Sequence, residues 1–92
     1  MIVKDIYKLA DEIKKNLWSA FELKMRVGNN HLELVDNKVD LEIEIHVHTD
    51  YTEILIDDDK EFVIRHEKVK NKTAYFMGLG FIVKSEYNNA RF

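Results

Sequence analysis

Asp40-Leu41-Glu42-Ile43-Glu44-Ile45-His46-Val47-His48-Thr49-Asp50 (residues 40–50) alternates apolar and polar side chains almost without a break. In an extended chain, Leu41, Ile43, Ile45 and Val47 project to one side, and Glu42, Glu44, His46 and His48 to the other. A period of two marks a half-buried strand. The segment therefore predicts a sheet with an apolar inner face and an outer face of carboxylates and imidazoles.

The same period extends in both directions. From Ala20, the residues Phe21, Leu23, Met25 and Val27 oppose Glu22, Lys24 and Arg26. Gly28-Asn29-Asn30 is turn chemistry, because glycine and asparagine tolerate positive φ. His31 to Val35 reads as a short strand, Asp36-Asn37-Lys38 as a turn, and Val39 to His48 as the longest strand. Tyr51 to Asp57 follows, and Asp58-Asp59 turns into Glu61 to Arg65. Turn signals at this regular spacing predict an antiparallel β-meander of four to five strands.

Helical periodicity flanks the meander. Ile2, Val3, Ile6, Leu9, Ala10, Ile13 and Leu17 recur at three- and four-residue steps, which predicts an amphipathic helix over 2–17 packed on the sheet. Val69, Thr73, Phe76, Met77 and Gly80 fit a second helical face over 68–79, which Gly78 or Gly80 would end in the left-handed conformation. Phe81 to Tyr87 then reads as a final strand, and residues 88–92 as a loose tail. The competing reading makes 73–87 one long strand bent at its glycines. The expected class is α+β: an N-terminal helix on an antiparallel meander, a second helix and a final strand.

A chain of 92 residues specifies one domain over 1–92, and 46% hydrophobic with 34% charged residues suits a folded chain rather than a disordered one. The absence of cysteine excludes disulfides and thiolate metal sites and suits a reducing compartment. No apolar run approaches the roughly 20 residues of a membrane span, and the N-terminus lacks a signal-peptide core. A cytoplasmic, soluble protein without membrane contact is expected.

The net charge of −3 conceals a segregation. Residues 31–61 hold eleven acids against Lys38 and Lys60, a balance of −9, whereas residues 1–30 carry +2 and residues 62–92 carry +4. Such asymmetry speaks to association rather than to fold. Lys24, Arg26 and Arg65 are too few to neutralise that face. Asp40, Glu42, Glu44, Glu53 and the Asp57-Asp58-Asp59 turn are accordingly the expected partner-binding surface, facing a basic protein. Carboxylates about 7 Å apart on a stiff strand approximate the phosphate spacing of a nucleic-acid strand. The concrete expectation is a non-enzymatic inhibitor that occupies the cationic groove of a nucleic-acid-processing enzyme. Small acidic anti-defence proteins of phage and mobile elements, anti-CRISPR proteins among them, offer an analogy of size and charge.

Other chemistries find less support. His46-x-His48 is a start for a metal site that Glu44, Glu53 or His31 could complete, but exposed strand histidines are commonplace, and no resident metal or cofactor is expected. Glu42 and Glu44 share a face without any sign of a pocket to separate their pKa values. Ser19 and Ser85 lie in no nucleophile elbow, and there is no phosphate-binding glycine loop, so catalysis is not expected. Met77 to Lys84, MGLGFIVK, partly follows the RNP1 pattern of RNA-recognition motifs at Gly78, Gly80 and Phe81. Leu79 and Lys84 stand where that pattern has stacking aromatics, and only eight residues follow Lys84, so direct nucleic-acid binding is not expected. The basic run Lys68-x-Lys70-x-Lys72 complements the acidic half of the same protein or of a second copy, which makes a homo-oligomer a further expectation; a structural subunit of an assembly, with the outer sheet face as its interface, is another.

Overall fold

The period-two alternation is realised as five strands. A computed structural model describes residues 6–16 and 23–91. Helix α1 (Ile6–Asn16) precedes β1 (Leu23–Val27), β2 (His31–Asp36), β3 (Leu41–Val47), β4 (Tyr51–Ile56) and β5 (Lys60–Arg65). A 3₁₀ turn (His66–Lys68) leads into α2 (Lys72–Arg91). The strands form one antiparallel sheet in the order β1-β2-β3-β4-β5, the meander expected from the turn spacing. The ends expected for the first helix (2–5 and 17) and the start of the first strand (20–22) lie outside the described residues.

Aspartates shape the tight turns. Asp40, Asp57 and Asp58 have φ of 55°, 52° and 61°, a left-handed conformation that aspartate tolerates better than β-branched residues do. Asp59 N–H donates to the Ile56 carbonyl (3.1 Å) and closes the β4–β5 turn.

Both helices lie on one face of the sheet. Leu9, Ala10 and Ile13 of α1, together with Tyr75, Leu79, Val83 and Tyr87 of α2, join Leu32, Leu34, Leu41, Ile43, Ile45, Ile54 and Ile56 in a single core. Burial alternates strictly along β2, β3 and β4, so the opposite face carries the polar set.

The C-terminal third departs from expectation. Residues 81–87 are not a strand, because α2 runs unbroken from Lys72 through Gly78 and Gly80 to Arg91. It includes Asn88, Asn89 and Ala90, which were expected in a loose tail. No glycine has positive φ, so neither glycine caps a helix. The helix begins four residues later than its expected start at Lys68. Asn71 caps it, accepting the Ala74 N–H on Oδ1 (2.9 Å), while Tyr75 N–H donates to the Asn71 carbonyl (3.1 Å). Tyr75, Leu79, Val83 and Tyr87 stand four residues apart and cover the sheet, which is what drives the helix through its glycines.

Polar contacts fix α2 on the sheet. Thr52 Oγ1 lies 2.6 Å from the Tyr75 hydroxyl and 2.8 Å from His66 Nε2, and all three side chains are buried. His66 Nδ1 reaches the Thr49 carbonyl at 3.2 Å. Further along, Asp36 is buried at the end of β2, where it accepts the Lys38 N–H (3.0 Å) and a hydrogen bond from Tyr87. Burial, the Asp36 charge and that bond together push the Tyr87 phenol well above its ordinary pKa. Glu86 is buried as well and pairs with Lys60 Nζ at 3.0 Å.

Candidate functional site

Helices cover one sheet face; among the described residues none covers the other. That outer face has two chemically distinct ends, and register decides what lies in each. Across β2 and β3, His31 stands opposite His46, Glu33 opposite Glu44, and Val35 opposite Glu42. Across β3 and β4, Glu44 faces Leu55 and His46 faces Glu53.

The carboxylate end centres on Glu42. The Glu42 N–H donates to Asp57 Oδ1 (2.9 Å), and the Asp57 N–H donates to the Glu42 carbonyl (2.9 Å). This reciprocal clasp holds the β4–β5 turn beside β3. Loss of solvation raises the Glu42 pKa, and the negative charges of Asp58, Glu33, Glu44 and Asp57 raise it further. Arg26 stands opposite Glu33 in register. Among the described residues, however, no lysine or arginine closes an ion pair with Glu33, Glu42, Glu44, Asp57 or Asp58. Val35 and Leu55, half buried, and Val63, 47% exposed, add separate apolar side chains to the same face, Val35 opposite Glu42, Leu55 opposite Glu44 and Val63 opposite Glu53.

The sign of the Glu42 shift has a consequence for stability. A carboxyl whose pKa is higher in the folded chain binds its proton there first, so its lost solvation and the repulsion around it penalise the fold at neutral pH. The penalty disappears as pH falls through the folded pKa. Glu42→Gln is expected to raise the urea midpoint at pH 7, and the advantage should shrink steadily toward about pH 4. Urea titrations of both proteins at several pH values check this; a difference independent of pH would contradict it.

The imidazole end lies toward the Asn30 and Asp50 turns. The His31 and His46 rings stack with centroids 4.4 Å apart and planes 8° from parallel. Glu44 Oε1 lies 3.8 Å from His31 Nε2. His48 falls past the end of β3, stacks on Tyr51 at 4.3 Å and lies 3.8 Å from Glu53. The His46-x-His48 pair of the sequence is thus divided: His46 joins His31 and Glu44, and His48 joins Tyr51 and Glu53.

Of the residues expected to bind a partner, Glu42, Glu44, Asp57 and Asp58 gather at one end. Glu53 belongs to the histidine end, and Asp40 and Asp59 are exposed turn residues. Glu33 joins the group although the sequence did not single it out. Its signal was present in the alternation of His31 to Asp36, but its opposition to Glu44 depends on strand register. Asp36 leaves the surface charge altogether, because it is buried.

No helix among the described residues is long and apolar enough to cross a membrane. No known protein family, curated protein or solved structure matches the chain.

Proposed function

We propose that the outer sheet face binds a basic protein, and that the protein acts as a non-enzymatic inhibitor. In its concrete form, the carboxylates occupy the cationic groove of a nucleic-acid-processing enzyme in the cytoplasm, in the manner of phage and mobile-element anti-defence proteins such as anti-CRISPR proteins. One observation carries this reading: Glu42 lies among Asp58, Glu33, Glu44 and Asp57, whose negative charges add to its loss of solvation in raising its pKa, and no lysine or arginine among the described residues is paired to the group. Like charges held together cost stability. A basic partner would relieve that repulsion and be steered toward it. The apolar side chains of Val35, Leu55 and Val63, interleaved with the acids, would add contact area that charge alone does not.

The test is capture of nucleic-acid enzymes from a candidate host lysate on the immobilised chain, with a salt gradient and duplex DNA as eluants. Retention that both salt and DNA reverse, reduced at least about tenfold by Glu42→Lys with Asp58→Lys, is expected. Equal retention by the reversed variant would overturn the reading. A second reading, a structural subunit of an assembly, rests on Met77 and Phe81 of α2, which are 69% and 73% exposed. Sedimentation over a range of concentrations separates it, because a monomer throughout contradicts self-assembly.

A further inference from the structure

The imidazole end of the outer face has the makings of a metal site. The Val47 N–H donates to the Asn30 carbonyl at 2.8 Å. Bonded and non-bonded pairs alternate along antiparallel strands, so His31 and His46 form the next, non-hydrogen-bonded pair, in which opposing side chains come closest. Glu44 precedes His46 by two residues on the same face and is therefore diagonal to His31. One ligand atom from each of His31, Glu44 and His46 lies within 4.8 Å of the other two.

A second observation concerns His31 itself. Its Nε2 is shielded from solvent and makes no hydrogen bond, the one such buried side-chain atom among the described residues. The Glu44 carboxylate, at 3.8 Å, is too far to satisfy it. A buried polar atom without a partner costs free energy, and an ion is one of the few things that can satisfy it.

We infer that His31, His46 and Glu44 form a binding site for a borderline divalent transition-metal ion of the zinc or nickel type. Two imidazoles and one carboxylate select such ions over magnesium and calcium, which prefer all-oxygen sites. Three protein ligands leave at least one position open to water or to a group from another molecule. A tetrahedral ion with bonds of about 2.0–2.1 Å places its ligand atoms roughly 3.3 Å apart, so the three side chains must draw in by up to about 1.5 Å. The rings must also turn out of their parallel stack, because lone pairs in parallel planes do not meet. All three side chains are only half buried, which leaves them that rotation, while the paired strands hold their Cβ atoms in place. Metal binding on this account unstacks His31 from His46.

The site is independent of the proposed partner surface in its decisive residues, since His31 and His46 carry it and Glu42 and Asp58 do not. The experiment is calorimetric titration of the full chain with zinc and, separately, nickel, alongside thermal unfolding and the histidine ring signals in NMR spectra. One ion per chain is expected, with a melting temperature raised by about 5 °C or more at a hundredfold excess over Kd. The His31 and His46 ring signals should shift together, and magnesium should do nothing. His31→Ala and His46→Ala should each weaken binding by about a hundredfold or more, and Glu44→Gln by about tenfold, while His48→Ala leaves it unchanged. Metal-free unfolding of each variant confirms that it folds. The Glu42→Lys/Asp58→Lys variant retains all three ligands and should still bind, so failure of the partner reading and failure of this one are distinguishable. Absence of saturable binding, binding that survives His31→Ala, binding lost in His48→Ala, or one ion per two chains would each overturn the site.

Discussion

Replacing Thr52 by valine is expected to lower the free energy of unfolding by about 2–5 kcal/mol, although the two side chains are nearly the same size. The direction of each bond in the buried network explains why. The Thr49 carbonyl can only accept, so His66 Nδ1 carries the proton and Nε2 accepts from the Thr52 hydroxyl. Thr52 Oγ1 in turn accepts from the Tyr75 hydroxyl. Valine removes the centre of this chain and leaves His66 Nε2 and the Tyr75 hydroxyl buried without partners. Each orphaned group costs about 1–3 kcal/mol. Thr52→Ser, which keeps the hydroxyl, should lose far less. Adding Tyr75→Phe to Thr52→Val deletes one orphan, so the double variant should be more stable than the sum of the two single changes implies. Urea unfolding of the four proteins measures the coupling; strict additivity, or a valine variant within about 0.5 kcal/mol of the parent, would show that the network contributes little.

Leu79→Ala is expected to cost about 2–5 kcal/mol, and Phe81→Ala, two residues away, less than about 0.5 kcal/mol. Leu79 is fully buried between α2 and the sheet, whereas Phe81 is 73% exposed. Gly78→Ala should stabilise the chain by about 0.5–1 kcal/mol, because the added Cβ would meet nothing within 4 Å and the glycine lies in a helix interior. The three results together report the continuity of α2. In the helix-then-strand arrangement suggested by the sequence, Phe81 would share a face with Val83 and Tyr87 and resist truncation, and a left-handed Gly78 would reject alanine. Thermal or urea unfolding of the three variants distinguishes the arrangements. All three positions lie away from the outer sheet face, so metal binding and partner capture should survive in any variant that folds.

The two ends of the outer face need not serve the same purpose. The Glu42 end concentrates negative charge and suits an extended basic surface. The His31–His46 end offers imidazole nitrogens at one point. Glu44 borders both, so an ion bound there would remove negative charge from the edge of the carboxylate group. A metal-dependent change in partner affinity would appear in capture experiments repeated with zinc, the variants above keeping the two effects separate.

The sheet was legible in the sequence because a strand declares its faces locally. Leu41, Ile43, Ile45 and Val47 alternate with polar residues whatever lies across from them, and all four are buried. Gly, Asn and Asp marked where the turns fall, also a local property, although the left-handed backbone is carried by Asp40, Asp57 and Asp58 and, among the described residues, by no glycine or asparagine. The carboxylate group around Glu42 followed in part, since residues two apart on a strand share a face. What the sequence left open depends on separation along the chain. Gly78, Gly80 and the run Phe81-Ile82-Val83 favour a break and a strand, and only the sheet buried under Tyr75, Leu79, Val83 and Tyr87 makes a continuous helix the better solution. Asp36 reads as one more surface acid until Tyr87 of α2 is brought over it. His46 reads as the partner of His48, two residues on, until the β2–β3 register sets His31 against it and the end of β3 leaves His48 with Tyr51. Side-chain periodicity is a property of neighbours and can be read from one strand; register and helix docking couple distant residues, and only the folded chain decides them.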